Sequence, residues 1–370
     1  MNADRLLNLF CELVRIESPS RHEAAMAARC EAELTDLGFS VEYDESAPET
    51  GSDTGNLIAV RKGEAAGALV LSAHMDTVEP CAGIKPVVRD GVIYSAGDTI
   101  LSADDKSGIA PVIEAIRSLI EQGEPLPEIW VLLTTCEELH LLGAGAFDAA
   151  RLPAGAPCYV LDADGPAGTI IQGAPCHYTF EATFHGTAAH AGVEPERGVS
   201  AILMAADAVA HMPLGRLDER TTANVGIISG GGATNVVPDT CVLSGECRSL
   251  STESADAERE AITSALTAAA DRAGGSVDIA WRVDYPAVVY AEEDSLVQGV
   301  VAAAKAAGLT PRLHYSGGGA DANIHASRGV RAITLSTGMA NFHSTEEFIS
   351  IADLKGACRL VEELIKGARL

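Results

Sequence analysis

The 370-residue chain has few basic residues, few aromatic residues and no long hydrophobic segment. It contains 26 Lys and Arg against 52 Asp and Glu, which gives a formal net charge of −26. This charge argues against nucleic acid or an anionic lipid surface as a partner, because both attract basic patches. No apolar run reaches the ~18 residues that a membrane-spanning helix needs, so no membrane association is expected.

The cysteines also argue against a secreted protein. There are nine of them, an odd number, with no regular spacing and no C-x-x-C pair. Several lie in apolar segments such as CYVLDAD at 158–164, which is typical of reduced core thiols. The N-terminal segment reads as an amphipathic helix with acidic residues rather than as a signal peptide. We therefore expect a cytoplasmic protein.

Strand-like and helix-like segments alternate through the first part of the chain and return near its end. This alternation predicts an α/β domain whose mostly parallel sheet is covered by helices. The predicted strands are NLIAV at 56–60, ALVLSA at 68–73, EIWVLLTT at 128–135, CYVLD at 158–162 and RAITLST at 331–337. The main predicted helices span 106–122 and 350–368.

Residues 175–286 follow a different pattern, in the order β-α-β-β-α-β. That order is typical of a ferredoxin-like α+β unit. The chain is therefore expected to leave its first domain, build this insert and return. The predicted domains are a first domain formed by 1–174 and 287–370 and an inserted domain at 175–286.

The ALVLSA strand runs into a histidine and an aspartate two positions apart, in LSAHMDTVEP at 71–80. On a strand, His74 and Asp76 point to the same face. A lone H-x-D is either a polar strand end with a solvated aspartate or a metal ligand with a carboxylate behind it. The second interpretation follows because ligating histidines commonly donate their other ring N–H to a carboxylate.

Further acidic residues and one histidine lie at the ends of other predicted strands or just before a helix. In open α/β sheets ligands bind beyond the carboxyl ends of the strands, so these residues should converge in one crevice. Carboxylates mixed with imidazole suit Zn²⁺, with Mn²⁺ or Co²⁺ as substitutes. Their number exceeds the needs of one ion and fits two ions ~3.5–4 Å apart that share a carboxylate. The residues are Asp104, Asp105, Glu137, Glu138, Asp162, Asp164 and His343.

Seven short segments occur in the order found in the M20 family of co-catalytic zinc peptidases and deacylases, and the resemblance covers nearly the whole chain. The segment LSADDKSGIA at 101–110 is most similar to the peptidase T branch of this family, the tripeptide aminopeptidases. The segments are HMDTV, ADDKSG, CEE, LDADG, GTAAHAG, NVVPD and FHSTEEFISIADL. The resemblance implies a zinc-exopeptidase-like catalytic domain with an inserted lid.

The resemblance also implies roles for the clustered residues. Asp104 would bridge two Zn²⁺ ions, Glu137 would be the general base, and Asp76 would orient His74. For the strand end at 162–164, Asp162 is favoured over Asp164 because it directly follows the apolar strand. The implied metal ligands are His74, Asp104, Glu138, Asp162 and His343.

In the inserted domain, the resemblance implies that His190 stabilises the oxyanion and that Asn235 and Arg248 hold a substrate carboxylate. Gly318 and Gly319, in SGGGADAN at 316–323, would let the backbone approach the substrate, although an ordinary flexible turn is the alternative. The family also implies a possible homodimer through the lid domain, in which His190 serves its own chain or the partner.

The implied activity is hydrolysis of amide bonds in short peptides by a dinuclear zinc exopeptidase, of the tripeptide aminopeptidase kind. The alternatives are an N-acyl-amino-acid deacylase, or a dipeptidase or carboxypeptidase of the same family, which share all the metal residues. A homologue that binds metal or peptide without catalysis is a remote alternative. Glu137 argues against it, because loss of the base would be expected there.

Overall fold

The structure is a computed structural model that describes residues 1–369. Within these residues the α-helices are α1 (Ala3–Leu13), α2 (Ala24–Asp36), α3 (Ala47–Thr50), α4 (Ala103–Glu121), α5 (Leu142–Ala146), α6 (Ala201–His211), α7 (Thr252–Ala273), α8 (Ser295–Ala306), α9 (Asp321–Ser327) and α10 (Ile351–Gly367). Short 3₁₀ turns span Ala149–Arg151 and Pro195–Arg197.

The strands of the same residues follow in chain order. They are β1 (Ser40–Tyr43), β2 (Leu57–Arg61), β3 (Ala68–His74), β4 (Pro86–Arg89), β5 (Val92–Ser95), β6 (Glu128–Thr134), β7 (Pro157–Asp164), β8 (Thr169–Ala174), β9 (Cys176–His185), β10 (Ala189–His190), β11 (Gly215–Arg216), β12 (Thr221–Gly230), β13 (Val236–Val237), β14 (Thr240–Ser249), β15 (Ser276–Tyr285), β16 (Val288–Val289), β17 (Arg312–Tyr315), β18 (Arg331–Ala340) and β19 (Phe348–Ser350).

The chain divides into two compact units. The first unit contains Met1–Gly173, Val289–Ser316 and Ala320–Leu370, and the second contains Ala174–Val288 with Gly317–Gly319. Each unit has its own hydrophobic core. No helix among residues 1–369 is both long and apolar enough to cross a membrane.

The first unit is built on a large sheet with the strand order β1-β2-β6-β3-β7-β18-β19-β5-β4. Its four central strands, β6, β3, β7 and β18, run parallel, and the strands on either side of them in this order pair antiparallel. The parallel strands are almost continuously apolar, as expected for a sheet covered on both faces. Their carboxyl ends meet at one edge, which places the ends of β3, β6 and β7 side by side.

Helix α4 shows how the sequence covers this sheet. Ile109, Ile113 and Ile116 belong to the core, and nearly every residue of α4 up to Leu119 is buried, so the helix is enclosed on all its faces. Burial of each such side chain contributes about 1.5–3 kcal/mol relative to exposure. Helix α10 packs beside α4 and presents Leu360 and Leu364 to the same core. The α4–α10 layer therefore fixes the start of α4 next to the sheet edge.

The second unit is an antiparallel sheet in the order β11-β12-β14-β9-β15, with α6 and α7 packed on it and on each other. Alternate residues of β9, among them Phe180 and Phe184, face the two helices and are buried. Four of the strands and both helices follow the order β-α-β-β-α-β. The predicted fold class is thereby confirmed: an α/β unit with a mostly parallel central sheet and an inserted ferredoxin-like α+β unit.

Candidate metal centre and active site

His74 is the last residue of β3, and its ring is buried among carboxylates. Its Nε2 lies 2.9 Å from Asp104 Oδ1 and 3.6 Å from Asp162 Oδ1. On the other side of the ring, Nδ1 lies 3.3 Å from Asp76 Oδ1. The imidazole is therefore held between a carboxylate behind it and two carboxylates in front of it.

A second group of donors forms around His343, which follows β18. His343 Nε2 lies 2.8 Å from Glu138 Oε2 and 3.3 Å from Asp104 Oδ2. Asp104 thus directs one oxygen towards His74 and the other towards His343. A carboxylate in this position can bridge two cations, because each of its oxygens belongs to a different group of donors.

A cis peptide bond joins Asp104 to Asp105 at the start of α4. The Asp105 carboxylate binds the backbone: Oδ2 accepts a hydrogen bond from the His74 N–H at 3.2 Å, and Oδ1 accepts one from the Gly108 N–H at 3.1 Å. Gly108 allows this packing, since a Cβ there would lie 2.3 Å from the Leu161 carbonyl oxygen. Asp105 therefore ties the start of α4 to the end of β3.

The turn after β6 carries Glu137 and Glu138, and buried side chains hold its backbone. Asp76 Oδ1 accepts a hydrogen bond from the Glu137 N–H at 3.0 Å, and Asp76 Oδ2 accepts one from the Glu138 N–H at 3.2 Å. Asp76 also accepts a hydrogen bond from the Ser20 hydroxyl at 2.7 Å. Asp76 therefore does more than face His74: it fixes the following turn against the His74 strand.

Two more side chains complete this hold on the turn. The Thr135 N–H donates to Asn56 Oδ1 at 3.0 Å, and the Cys136 N–H donates to Glu23 Oε1 at 3.0 Å. Together with the bonds to Asp76, four consecutive backbone N–H groups, from 135 to 138, are bound by side chains. Cys136 has a left-handed backbone with φ of 51°, which is uncommon outside glycine and needs such support.

The carboxylates of the cluster perturb one another strongly. Burial, followed by the charge of Asp162, raises the pKa of Glu137 well above its ordinary value. The same two causes raise the pKa of Asp105, and burial raises the pKa of Asp162 to about 7. Burial and then the charge of Asp104 raise the pKa of Glu138. These acids are crowded in a region that is short of positive charge.

The donor set fits a metal centre, with Asp104 between the donors around His74 and those around His343. Ligand atoms of His74, Asp104 and Glu138 all lie within 4.8 Å of one another, and so do those of His74, Asp105 and Asp162. Glu138 Oε1 is buried and has no hydrogen-bond partner among residues 1–369. Burial of a charged carboxylate without a partner costs several kcal/mol, because the water that it loses is not replaced by another interaction. The oxygens and nitrogens present are those that Zn²⁺, Mn²⁺ and Co²⁺ accept.

The structure separates the two aspartates at the end of β7. The Asp162 side chain faces the cluster, with Oδ1 3.6 Å from His74 Nε2. Asp164 is an exposed residue at the last position of the strand. Asp162 is thus the residue that the fold brings to His74.

The remaining predicted site residues lie in the second unit. His190 ends β10 and pairs with Val236 of β13, and the Ala191 N–H donates to the Asn235 carbonyl oxygen at 2.9 Å. The fold therefore makes His190 and Asn235 neighbours. Both are exposed, and the Gly192 N–H donates to His190 Nδ1 at 3.1 Å. The His190 ring is thereby oriented by its own loop.

Arg248 lies on β14 and is already paired. Its Nε and Nη2 donate to the two carboxylate oxygens of Glu246 at 3.2 and 3.1 Å, while Nη1 donates to the Gly317 carbonyl oxygen at 3.4 Å. The neighbouring Gly319 donates its N–H to the Tyr285 hydroxyl at 3.1 Å, and a Cβ at 319 would lie 2.3 Å from the Tyr285 ring. Glycine at 319 therefore serves this close contact within the unit.

Several residues of the site were not singled out by the sequence. Asp321 is buried, hydrogen-bonded to the Thr134 hydroxyl, and burial raises its pKa to about 6. Lys106, which follows Asp105 in the chain, is fully buried, and burial lowers its pKa. The others, Asn56, Glu23 and Glu347, bind backbone N–H groups. Lys106, Asp321 and Glu347 lie within the quoted motifs, but residue type alone does not indicate that a side chain is buried and binds other groups from within the core.

Comparison with known protein families gives two matches. A model described as peptidase dimerisation domain matches residues 177–273, in the second unit. A model described as peptidase family M28 matches residues 56–165, in the first unit. The second range includes His74, Asp104, both glutamates of the 135–138 turn, and Asp162.

Individual relatives match the whole chain. The uncharacterized protein YqjE of Bacillus subtilis is 40% identical over 369 residues, which are 100% of this chain and 99% of that one. The crystal structure of aminopeptidase PepT from Bacillus cereus is 41% identical, has a TM-score of 0.93 and covers 100% and 99% of the two chains. That of a tripeptidase from Staphylococcus aureus is 36% identical, has a TM-score of 0.96 and covers 100% of both. The chain therefore belongs to the M20 family of metallopeptidases and is a peptide-bond hydrolase.

Proposed function

We propose that the protein is a dinuclear zinc aminopeptidase that releases the N-terminal residue of short peptides, with tripeptides as its preferred substrates. The observation that carries this proposal is the position of Asp104, which directs one oxygen to each of two histidine-containing donor groups. Two relatives that match over their full length, named as an aminopeptidase PepT and a tripeptidase, support the choice of substrate.

In this proposal, His74 and Asp162 hold one ion, Glu138 and His343 hold the other, and Asp104 holds both. Zn²⁺ is the proposed metal, and Mn²⁺ and Co²⁺ are substitutes that the same donors accept. When bound, the ions act as Lewis acids and lower the pKa of water. Their charge also compensates the crowded carboxylates and returns the raised pKa values of Glu137 and Glu138 towards their ordinary range.

Glu137 is the proposed general base. Its carboxylate takes a proton from the attacking water and then delivers it to the leaving amine, a role for which proximity and a tuned pKa are needed. Its backbone N–H is bound by Asp76, which fixes the place from which the side chain extends. Asp76 also faces His74 Nδ1 and fixes the direction of that ring.

His190, Asn235, Arg248 and the Gly318–Gly319 backbone are the proposed substrate contacts. His190 would stabilise negative charge on the carbonyl oxygen. Arg248 would bind the substrate carboxylate through its Nη1–Nη2 edge, because Glu246 already occupies the Nε–Nη2 side. Glu246 thereby fixes the direction in which Arg248 can be approached.

A homodimer formed through the second unit is part of the proposal. The peptidase dimerisation model matches there, and large apolar side chains are exposed on α6 and β12: Leu203 at 69%, Ile227 at 60% and Ile228 at 54%. Exposed apolar surface of this kind is typical of an interface.

We also propose a cytoplasmic location, supported by nine cysteines that are all free.

A substrate panel tests the function. Zinc-loaded protein should cleave free tripeptides with a higher kcat/KM than dipeptides and release the N-terminal residue first. N-acetylated tripeptides should react at least about 100-fold more slowly, because a site that accepts a free N-terminal amine discriminates strongly against a substrate in which this amine is blocked. Equal or faster turnover of N-acyl-amino acids would favour the alternative, a deacylase that uses the same metal ligands.

Substitution of Arg248 by alanine is expected to lower kcat/KM on free-acid tripeptides by roughly 10–100-fold, because loss of a charge-assisted pair costs ~1.5–3 kcal/mol. The same peptides with amidated C-termini should show a much smaller loss. Arg216→Ala, at an exposed position of β11, is the matched control and should leave both substrates unaffected. Equal losses on the acid and the amide would show that Arg248 does not bind the carboxylate.

A further inference from the structure

Glu347 is a buried carboxylate, 1% exposed, that lies four residues after His343 and has no role in the chemistry proposed above. Its Oε2 accepts hydrogen bonds from the Leu101 N–H at 2.8 Å and the Ser102 N–H at 2.7 Å. Its Oε1 accepts one from the Asp104 N–H at 2.9 Å. Three backbone donors thus converge on one side chain.

The segment that Glu347 binds cannot hold its own conformation through regular hydrogen bonds. Ser102 has a left-handed backbone with φ of 61°, and Asp104 departs from helical geometry with ψ of 104°. The first N–H groups of a helix have no partner within the helix, so they need an acceptor from elsewhere. Glu347 supplies this acceptor next to the residue whose carboxylate lies between the two donor groups.

Glu347 also belongs to the segment that carries His343. Its own N–H donates to the Ser344 carbonyl oxygen at 3.1 Å, and Leu101 and Glu347 are 246 positions apart in the chain. One side chain therefore connects the backbone of Asp104 with the loop of His343, which comes from a distant part of the sequence.

We propose that Glu347 is a positioning residue that sets the metal affinity of the site by fixing the backbone of Asp104 relative to His343. The inference rests on the proposed function, in which both of these residues are ligands. Partners that hold metal ligands in place typically change metal affinity or activity by ~10–100-fold when they are replaced.

Glu347→Gln is the discriminating substitution, because glutamine has nearly the same shape but replaces one acceptor oxygen by an N–H₂ donor. In either orientation of the amide, at least one backbone N–H would face another donor. The matched control is Glu346→Gln, the exposed glutamate beside it in the sequence.

The measurement is the affinity of the metal-free proteins for Zn²⁺, determined by competition with a chromophoric chelator. We expect Glu347→Gln to bind Zn²⁺ ~10–100-fold more weakly than the native protein and Glu346→Gln to match the native protein. Because the effect acts through metal binding, kcat of Glu347→Gln should return to within about threefold of the native value at saturating Zn²⁺. Unchanged Zn²⁺ affinity, with only a lower thermal stability, would overturn the proposal.

Asp104→Asn separates this inference from the proposed function. If Asp104→Asn loses Zn²⁺ while Glu347→Gln retains native affinity, the positioning role is wrong and the metal site stands. If Asp104→Asn also retains native affinity, the proposed metal site is itself wrong, and the role of Glu347 falls with it.

A measurement on the native protein covers the case in which Glu347→Gln does not fold. Coupling between two sites is reciprocal, so Zn²⁺ must stabilise the hydrogen bonds of Glu347 if these bonds strengthen Zn²⁺ binding. Hydrogen exchange of a peptide covering 101–104 should therefore slow at least several-fold on addition of Zn²⁺. An exchange rate that does not change would contradict the proposal.

Discussion

Replacement of Glu137 by glutamine is expected to lower kcat by roughly 10²–10⁴-fold, the usual contribution of a general base. Glutamine keeps the shape of the side chain but cannot take up a proton at neutral pH. The backbone of residue 137 stays bound to Asp76, so the turn should keep its conformation. Steady-state kinetics on a tripeptide and metal analysis of the purified variant make the measurement.

The neighbouring glutamate provides the control for this prediction. Glu138 Oε2 lies 2.8 Å from His343 Nε2, so Glu138→Gln should lose at least one ion per chain while Glu137→Gln retains close to two. If Glu137→Gln loses an ion and Glu138→Gln retains both, the two roles are reversed. Comparable thermal stability of the two metal-free variants would show that neither effect comes from unfolding.

Asp162→Asn is expected to weaken binding of one metal ion by more than about 100-fold, since replacement of an outer partner alone costs ~10–100-fold. Asn offers a neutral oxygen in place of a charged one at a position 3.6 Å from His74 Nε2. Asp164→Asn is the matched control, two positions away on an exposed part of the same strand. Equal metal content in the two variants would contradict the assignment.

The parts of the fold that could be predicted from the sequence are those encoded by local patterns. ALVLSA and CYVLD are continuous apolar runs, and such runs are typical of parallel strands buried on both faces. Polar residues placed directly after these runs, His74 and Asp162, were therefore expected at the sheet edge. The structure brings both of them together, as the spacing of apolar and polar residues indicated.

A local signal was overlooked at the β4–β5 hairpin. Asp90 and Gly91 form its two-residue turn, and both have positive φ, 51° and 78°. An Asp-Gly pair between two short β-prone segments is the usual sequence signature of such a turn. The segment VVRDGVIYS at 87–95 therefore contained enough information to predict the hairpin.

The side chains that bind the backbone of the site could not be predicted from local patterns. The hydrogen bond between Cys136 and Glu23 joins residues 113 positions apart, and periodicity reports only on neighbours along the chain. Residue type alone does not distinguish a glutamate that accepts hydrogen bonds in the core from a glutamate on the surface. The pairing of Arg248 with Glu246 is a different case, because the two residues are two positions apart on β14 and point to the same face, so the local sequence ECR contained enough information to indicate it.

The discontinuous path of the first unit determines the order in which its parts can assemble. Strand β18 lies between β7 and β19 in the sheet, yet it follows the whole second unit in the chain. Within residues 1–369, the β4–β5 hairpin, made early, pairs with the rest of the sheet through β19, which in turn pairs with β18. During synthesis the first 173 residues must therefore wait, with an open sheet edge, until the inserted unit has been translated. Because His343 follows β18, the proposed set of metal ligands is complete only after this late part of the chain has been made.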